Sequence, residues 1–125
     1  MTPIHIALAD DQQVFRKEIV ALLDTTPGMK VTIEARDGNE LLSKMEEQPQ
    51  PPDLIILDLN MPGLSGVETM PLLKKNYPGV KVMVLSLYND ANFVAYLTEL
   101  GADAYLVKDS EPEKIQRTIK ELVHN

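Results

Sequence analysis

The sequence predicts an α/β domain built on a single doubly wound parallel sheet of five strands, with helices on both faces. Three observations predict it. Five short apolar runs alternate with five stretches of helical periodicity, and such alternation makes neighbouring strands parallel. Two of the runs, Leu54-Ile55-Ile56-Leu57 and Val82-Met83-Val84-Leu85, are apolar throughout, as strands covered on both faces must be. No repeat or internal linker divides the 125 residues, which suffice for one domain with one sizeable core, so residues 1–125 are read as one unit.

The first strand is Ile4-His5-Ile6-Ala7-Leu8-Ala9, ending on Asp10-Asp11. From Gln12 the spacing turns helical: Phe15, Ile19, Leu22 and Leu23 share one stripe, and Pro27-Gly28 ends it. Val31, Ile33 and Ala35 alternate with Thr32 and Glu34, the pattern of a half-exposed edge strand. Asp37 and Glu40 have the spacing of a capping box before a helix that buries Leu41, Leu42 and Met45. The loop Gln48-Pro49-Gln50-Pro51-Pro52 then leads into the central strand. Ser65 and Glu68 form a second capping box, opening a helix that Tyr77-Pro78-Gly79 closes; Pro71 within it predicts a kink or a loose first turn. The next helix starts near Asn89-Asp90 and ends at Gly101, placed as a left-handed cap. Ala104-Tyr105-Leu106-Val107 is the fifth strand. Ser110 and Glu113 suggest a third capping box before a last helix with the stripe Ile115, Ile119, Leu122, Val123. If the natural protein continues, a linker would begin where that helix ends.

Hydrophobic residues make up 44%, which argues against both a disordered chain and a membrane span. Met1-Thr2-Pro3 runs straight into a strand, leaving no room for a signal peptide, and with no cysteine there is neither a disulfide framework nor thiolate chemistry. A cytoplasmic protein is expected. The formal net charge of -7 repels phosphate backbones and anionic membranes, so direct nucleic-acid binding by this chain and membrane binding are not expected. Partners should be cationic or bring a metal.

Four of the five strands end on residues that can carry chemistry: Asp10-Asp11, Asp58, Ser86 and Lys108. A parallel sheet gathers these ends at one rim, where ligands of open α/β sheets bind. Each alone has an ordinary role, as a helix cap, a turn former or a strand-end residue. Together they form a set. Three close carboxylates repel one another and raise each other's pKa, which a divalent cation relieves. Mg²⁺ is usually held by one or two carboxylates plus a phosphate, while Lys108 and Ser86 offer a point charge and a donor to a phosphoryl oxygen. A carboxylate nucleophile, metal, lysine and hydroxyl suit phosphoryl transfer through an aspartyl phosphate. His5 and His124 fit structural or solvated roles better than metal ligation.

On Asp10-Asp11, Asp58 through Gly63, Ser86, Gly101-Ala102-Asp103-Ala104-Tyr105 and Lys108-Asp109, the chain resembles the receiver domain of bacterial two-component response regulators, over nearly its whole length. Leu85-Ser86 and Gly101 through Lys108 are most similar to the NarL/FixJ-type branch, whose members usually carry a C-terminal helix-turn-helix DNA-binding domain; these residues include none. The resemblance implies a flavodoxin-like, CheY-like three-layer sandwich with strand order 2-1-3-4-5. It implies that Asp58 accepts a phosphoryl group from a sensor histidine kinase. Asp11, Asp58 and the backbone carbonyl of Asn60 would bind Mg²⁺ directly, with Asp10 acting largely through water. Lys108 would pair with the phosphoryl group, and Ser86 and Tyr105 would be the switch pair. The output would be transcription. A homodimer on phosphorylation is a further expectation, through the switch surface or through the first and fifth helices.

The sequence departs from the family pattern at three places. Bulky Leu87 follows the switch hydroxyl where alanine is common, and by resemblance it flanks access to the phosphoryl group. Asp109 replaces a common proline, and Pro71 interrupts the third helix. Three other readings compete: a standalone receiver acting by protein–protein interaction, an aspartyl-phosphate phosphatase and a flavin-binding protein. The phosphatase needs a general-acid carboxylate where Asn60 stands. The flavin protein needs a Ser/Thr/Gly-rich phosphate loop where Asp10-Asp11 stands. The resemblance implies a signalling domain that promotes its own phosphorylation and dephosphorylation, rather than an enzyme.

Overall fold

The computed structural model describes residues 2–59, 61, 63–87 and 91–124. Five strands, β1 (Ile4–Ala9), β2 (Met29–Ala35), β3 (Leu54–Leu57), β4 (Lys81–Ser86) and β5 (Ala104–Val107), alternate with α1 (Gln13–Asp24), α2 (Gly38–Glu47), α3 (Gly66–Asn76), α4 (Ala91–Leu100) and α5 (Pro112–His124). The strands pair in parallel in the order β2-β1-β3-β4-β5, as the resemblance implied.

The two-residue period of the strands divides the core into two layers. Leu8, Ile56 and Met83 are neighbours across the sheet and face Ile19 and Leu23 of α1 and Ile115 and Ile119 of α5. One residue on, Ala9, Leu57 and Val84 face Leu41 and Met45 of α2, Met70 and Leu73 of α3, and Leu97 of α4. Each fully buried Leu or Ile contributes about 1.5–3 kcal/mol. The central strands are apolar at every position because both of their faces are covered.

The alternation in β2 does not place Val31, Ile33 and Ala35 on one face. A bulge sets Ile6 opposite Val31 but Ala7 opposite Ile33, leaving Thr32 as the extra residue. Met29 and Val31 therefore pack on the α1/α5 side, and Ile33 and Ala35 on the other. β2 is an edge strand, as its pattern predicted, and side chains cover part of its free edge. Val31 N–H donates to Asp24 at 2.9 Å, and Lys44 Nζ donates to the Glu34 carbonyl at 2.7 Å.

The Ser65–Glu68 capping box is complete. In the Asp37–Glu40 pair only half forms: Asp37 accepts the Glu40 N–H, while the Glu40 carboxylate accepts from Arg36 N–H. The third expected box is not at the helix start. α5 begins at Pro112, where the missing N–H costs nothing, so Glu111 rather than Ser110 precedes the helix. α3 runs from Gly66 to Asn76 through Pro71. The expected start of α4 at Asn89-Asp90 lies outside the described residues. Its end is as expected: Gly101 has φ +113°, and the N–H groups of Gly101 and Ala102 donate to the carbonyls of Thr98 and Leu97, a Schellman closure.

Candidate phosphoryl-transfer site

The sheet extends its ladder one residue past β1 and β3. Asp10 N–H donates to the Ala35 carbonyl and Asp58 N–H to the Ala9 carbonyl, each at 2.9 Å. This fixes the backbones of Asp10 and Asp58 side by side at the C-terminal rim. Both side chains are buried, whereas Asp11 is exposed at the mouth. The three residues offer carboxylate oxygens that all lie within 4.8 Å of one another, a set that could hold a metal ion.

Lys108 follows β5, its N–H donating to the Ser86 carbonyl at 2.7 Å. Its ammonium reaches across the rim to Asp10 Oδ2 at 2.7 Å and Asp58 Oδ1 at 3.5 Å. Asp10 Oδ1 accepts the Gln12 N–H at 2.9 Å. The Asp58 carboxyl is pushed up from 3.8 to about 6. Burial is the main cause, followed by the charge of Asp10; Lys108 opposes them, and a hydrogen bond with Asp10 and the charge of Asp11 add to the rise. One ammonium does not balance three carboxylates. A divalent cation would supply the missing charge, and the all-oxygen donor set suits a hard cation such as Mg²⁺.

Ser86 is fully buried at the end of β4. Tyr105 pairs with Val84 on the neighbouring strand, and both pack toward α3 and α4. Ser86 stands two residues beyond Val84, so strand geometry keeps it on the same face as Tyr105. Leu87, next in the chain, is 64% exposed at the rim. Asn60, expected to lend its carbonyl, lies outside the described residues. The structure thus brings Asp10, Asp11, Asp58 and Lys108 together and places Ser86 on β4 and Tyr105 on β5, with Leu87 just past the end of β4.

Three residues of this region were not legible as site residues. Gln12 Oε1 accepts a hydrogen bond from Lys108 Nζ at 2.6 Å, and the Phe15 ring centroid lies 4.6 Å from that nitrogen. Gly66 packs against the backbone that follows Asp58: a Cβ there would fall on the Asp58 carbonyl oxygen and 2.8 Å from Leu59 Cα. Gln12 has no charge to announce it, and the apolar stripe of α1 is enough to account for Phe15. Gly66 is a close-approach glycine, which a sequence does not distinguish from a glycine that merely opens a helix.

A five-stranded parallel sheet with a carboxylate cluster and a lysine at one rim defines a class of α/β phosphoryl-transfer domains. The family described as response regulator receiver domain matches residues 6–120, and the chain belongs to that family of signalling domains. It is 34% identical over 117 residues to the transcriptional regulatory protein DegU of Brevibacillus brevis, covering 94% of this chain and 49% of that protein. To the nitrate/nitrite response regulator protein NarL of Escherichia coli strain K12 it is 36% identical over 117 residues, covering 94% and 53%. The chain thus spans about half the length of these relatives, which bear out its resemblance to the NarL-type branch. The response regulator domain of Thermotoga maritima CheB superposes with a TM-score of 0.87 at 25% identity, over 98% of each chain. A LuxR-family two-component response regulator from Aurantimonas sp. SI85-9A1 gives a TM-score of 0.90 at 25% identity, over 98% of this chain and 86% of that one. Among the described residues no helix is long and apolar enough to cross a membrane.

Proposed function

We propose that this receiver domain is the phospho-accepting part of a transcriptional response regulator, with Asp58 as the acceptor. The observation that carries the reading is the buried Asp58 carboxylate, held by the sheet between the Asp10 carboxylate and the Lys108 ammonium. A sensor histidine kinase would supply the phosphoryl group. An Asp58 oxygen attacks phosphorus as the P–N bond of the phosphohistidine breaks; the imidazole nitrogen keeps that electron pair and gains a proton from solvent. With its pKa near 6, Asp58 is mostly ionised at pH 7 and able to attack. Lys108 then meets the charge on the transferred oxygens.

Asp11, Asp58 and the Asn60 backbone carbonyl would hold Mg²⁺, with Asp10 acting through water. In support, both Asp10 oxygens are already engaged, by Lys108 and by the Gln12 N–H, while Asp11 is exposed. Bound there, the metal would neutralise charge on the carboxylates and on the phosphoryl oxygens. Ser86 and Tyr105 would form the switch, and Leu87 would narrow access to the phosphoryl group. The names of the relatives support transcription as the output. A DNA-binding domain outside these residues, a place in the cytoplasm and dimerisation on phosphorylation belong to the same proposal. Incubation with a small acyl phosphate and Mg²⁺ tests the reading: one phosphoryl group, labile to hydroxylamine, should be added to the protein and none to Asp58→Asn. Equal modification of that variant overturns the assignment.

A further inference from the structure

We propose that Gln12, helped by the ring of Phe15, is a positioning residue that parks Lys108 on Asp10 and so limits how readily the ammonium passes to Asp58. The inference rests on Asp58 as phospho-acceptor.

An ammonium has three N–H donors. Two of its contacts are short, 2.7 Å to Asp10 Oδ2 and 2.6 Å to Gln12 Oε1, while Asp58 Oδ1 stands off at 3.5 Å. The Gln12 backbone N–H is itself bonded to Asp10 Oδ1 at 2.9 Å, so the Gln12 backbone is anchored on the Asp10 side of the site. From there its side-chain oxygen holds Lys108 Nζ at 2.6 Å while that nitrogen is paired with Asp10. Phe15 places its ring under the same nitrogen, 4.6 Å from centroid to Nζ, a cation–π contact that supports the parked position.

No capping duty of the Gln12 side chain explains this geometry. Gln12 occupies the N-cap position of α1, yet its side chain makes no capping hydrogen bond. It is exposed, so its replacement leaves the core intact. Its amide carbonyl is instead spent on the one lysine that reaches both buried carboxylates. Passing Lys108 to a phosphoryl group on Asp58 means releasing or stretching that bond, which a hydrogen bond to a charged group resists.

The test uses the whole 125-residue chain, acetyl phosphate as donor and saturating Mg²⁺. Gln12→Met keeps the length of the side chain and removes the acceptor. It should speed phosphorylation of Asp58 by roughly threefold to tenfold, with Phe15→Leu smaller and in the same direction. In a Lys108→Met background the Gln12→Met effect should vanish, whereas a structural effect would persist there. The ¹⁵N-detected ammonium signal of Lys108 in the unphosphorylated protein should broaden or shift in Gln12→Met. A rate equal to or below wild type, or a gain that survives loss of Lys108, overturns the proposal. Modification of Asp58→Asn as full as that of wild type would instead overturn the acceptor assignment.

Discussion

Lys108 Nζ lies 2.7 Å from Asp10 Oδ2, a buried ion pair joining the ends of the first and fifth strands. Asp58 sits beside that pair; its burial, and after that the charge of Asp10, push its carboxyl up to about 6 against the opposing pull of Lys108 at 3.5 Å. The site is short of positive charge before any ligand arrives, and this imbalance sets the first expectation.

Asp58→Asn should stabilise the metal-free protein at neutral pH. A carboxyl raised from 3.8 to about 6 holds its proton more tightly in the folded than in the unfolded state. Its contribution is favourable below pH 3.8 and is lost as pH rises through 6. The variant should therefore match wild type near pH 4 and exceed it at pH 7 by the order of 2–3 kcal/mol, a gain in Tm of roughly 5–10 °C. Added Mg²⁺ should stabilise wild type more than the variant, narrowing the gap. Thermal melts across this pH range, with and without Mg²⁺, check both statements.

Asp11→Ala should weaken Mg²⁺ binding more than Asp10→Ala does. Asp10 is engaged by Lys108 and by the Gln12 N–H, whereas the Asp11 carboxylate is exposed at the mouth. Calorimetric titration of the two variants measures the difference; wild-type affinity in Asp11→Ala would refute direct ligation.

Gly66→Ala should destabilise the fold by about 1–3 kcal/mol and slow phosphorylation, because its methyl group would displace the Asp58 carbonyl. Gly79→Ala is the control, since a Cβ there meets nothing within 4 Å. Urea unfolding and acyl-phosphate kinetics on both variants make the comparison.

Ser86→Ala should uncouple the site from the surface of α4, β5 and α5. Ser86 and Tyr105 share a sheet face, so movement of the hydroxyl toward a phosphoryl group opens space for the ring. Amide shift changes on phosphorylation should reach that surface in wild type and shrink in the variant. Equal changes in both would exclude this route.

Leu87→Ala should speed both phosphorylation by small donors and loss of the phosphoryl group, leaving Mg²⁺ affinity unchanged. The side chain is 64% exposed, so its removal should alter stability by no more than about 0.5 kcal/mol. Unchanged rates would show that it does not narrow the path for donor and water.

Much of the fold is legible in the sequence because burial leaves a local trace. The unbroken apolar runs of β3 and β4 mark strands covered on both faces, and the helical stripes mark the faces that cover them. The carboxylates and lysine at the strand ends are legible for a related reason. A parallel sheet brings all its C-terminal ends to one rim, so chain position alone predicts that Asp10, Asp58 and Lys108 meet. The bulge in β2 left no such trace: an alternating pattern reads the same whether its apolar residues face one side or two.

The sequence by itself therefore determined the layers, the rim and the charged residues gathered there. The tertiary structure alone decided how that charge is shared. It set Lys108 nearer Asp10 than Asp58, spent the Gln12 amide on the lysine rather than on the helix, and brought Gly66 against the Asp58 backbone. The physical reason is one of scale. Periodicity reports which face of an element is buried, whereas differences of an ångström among polar groups depend on how separate elements pack around one another.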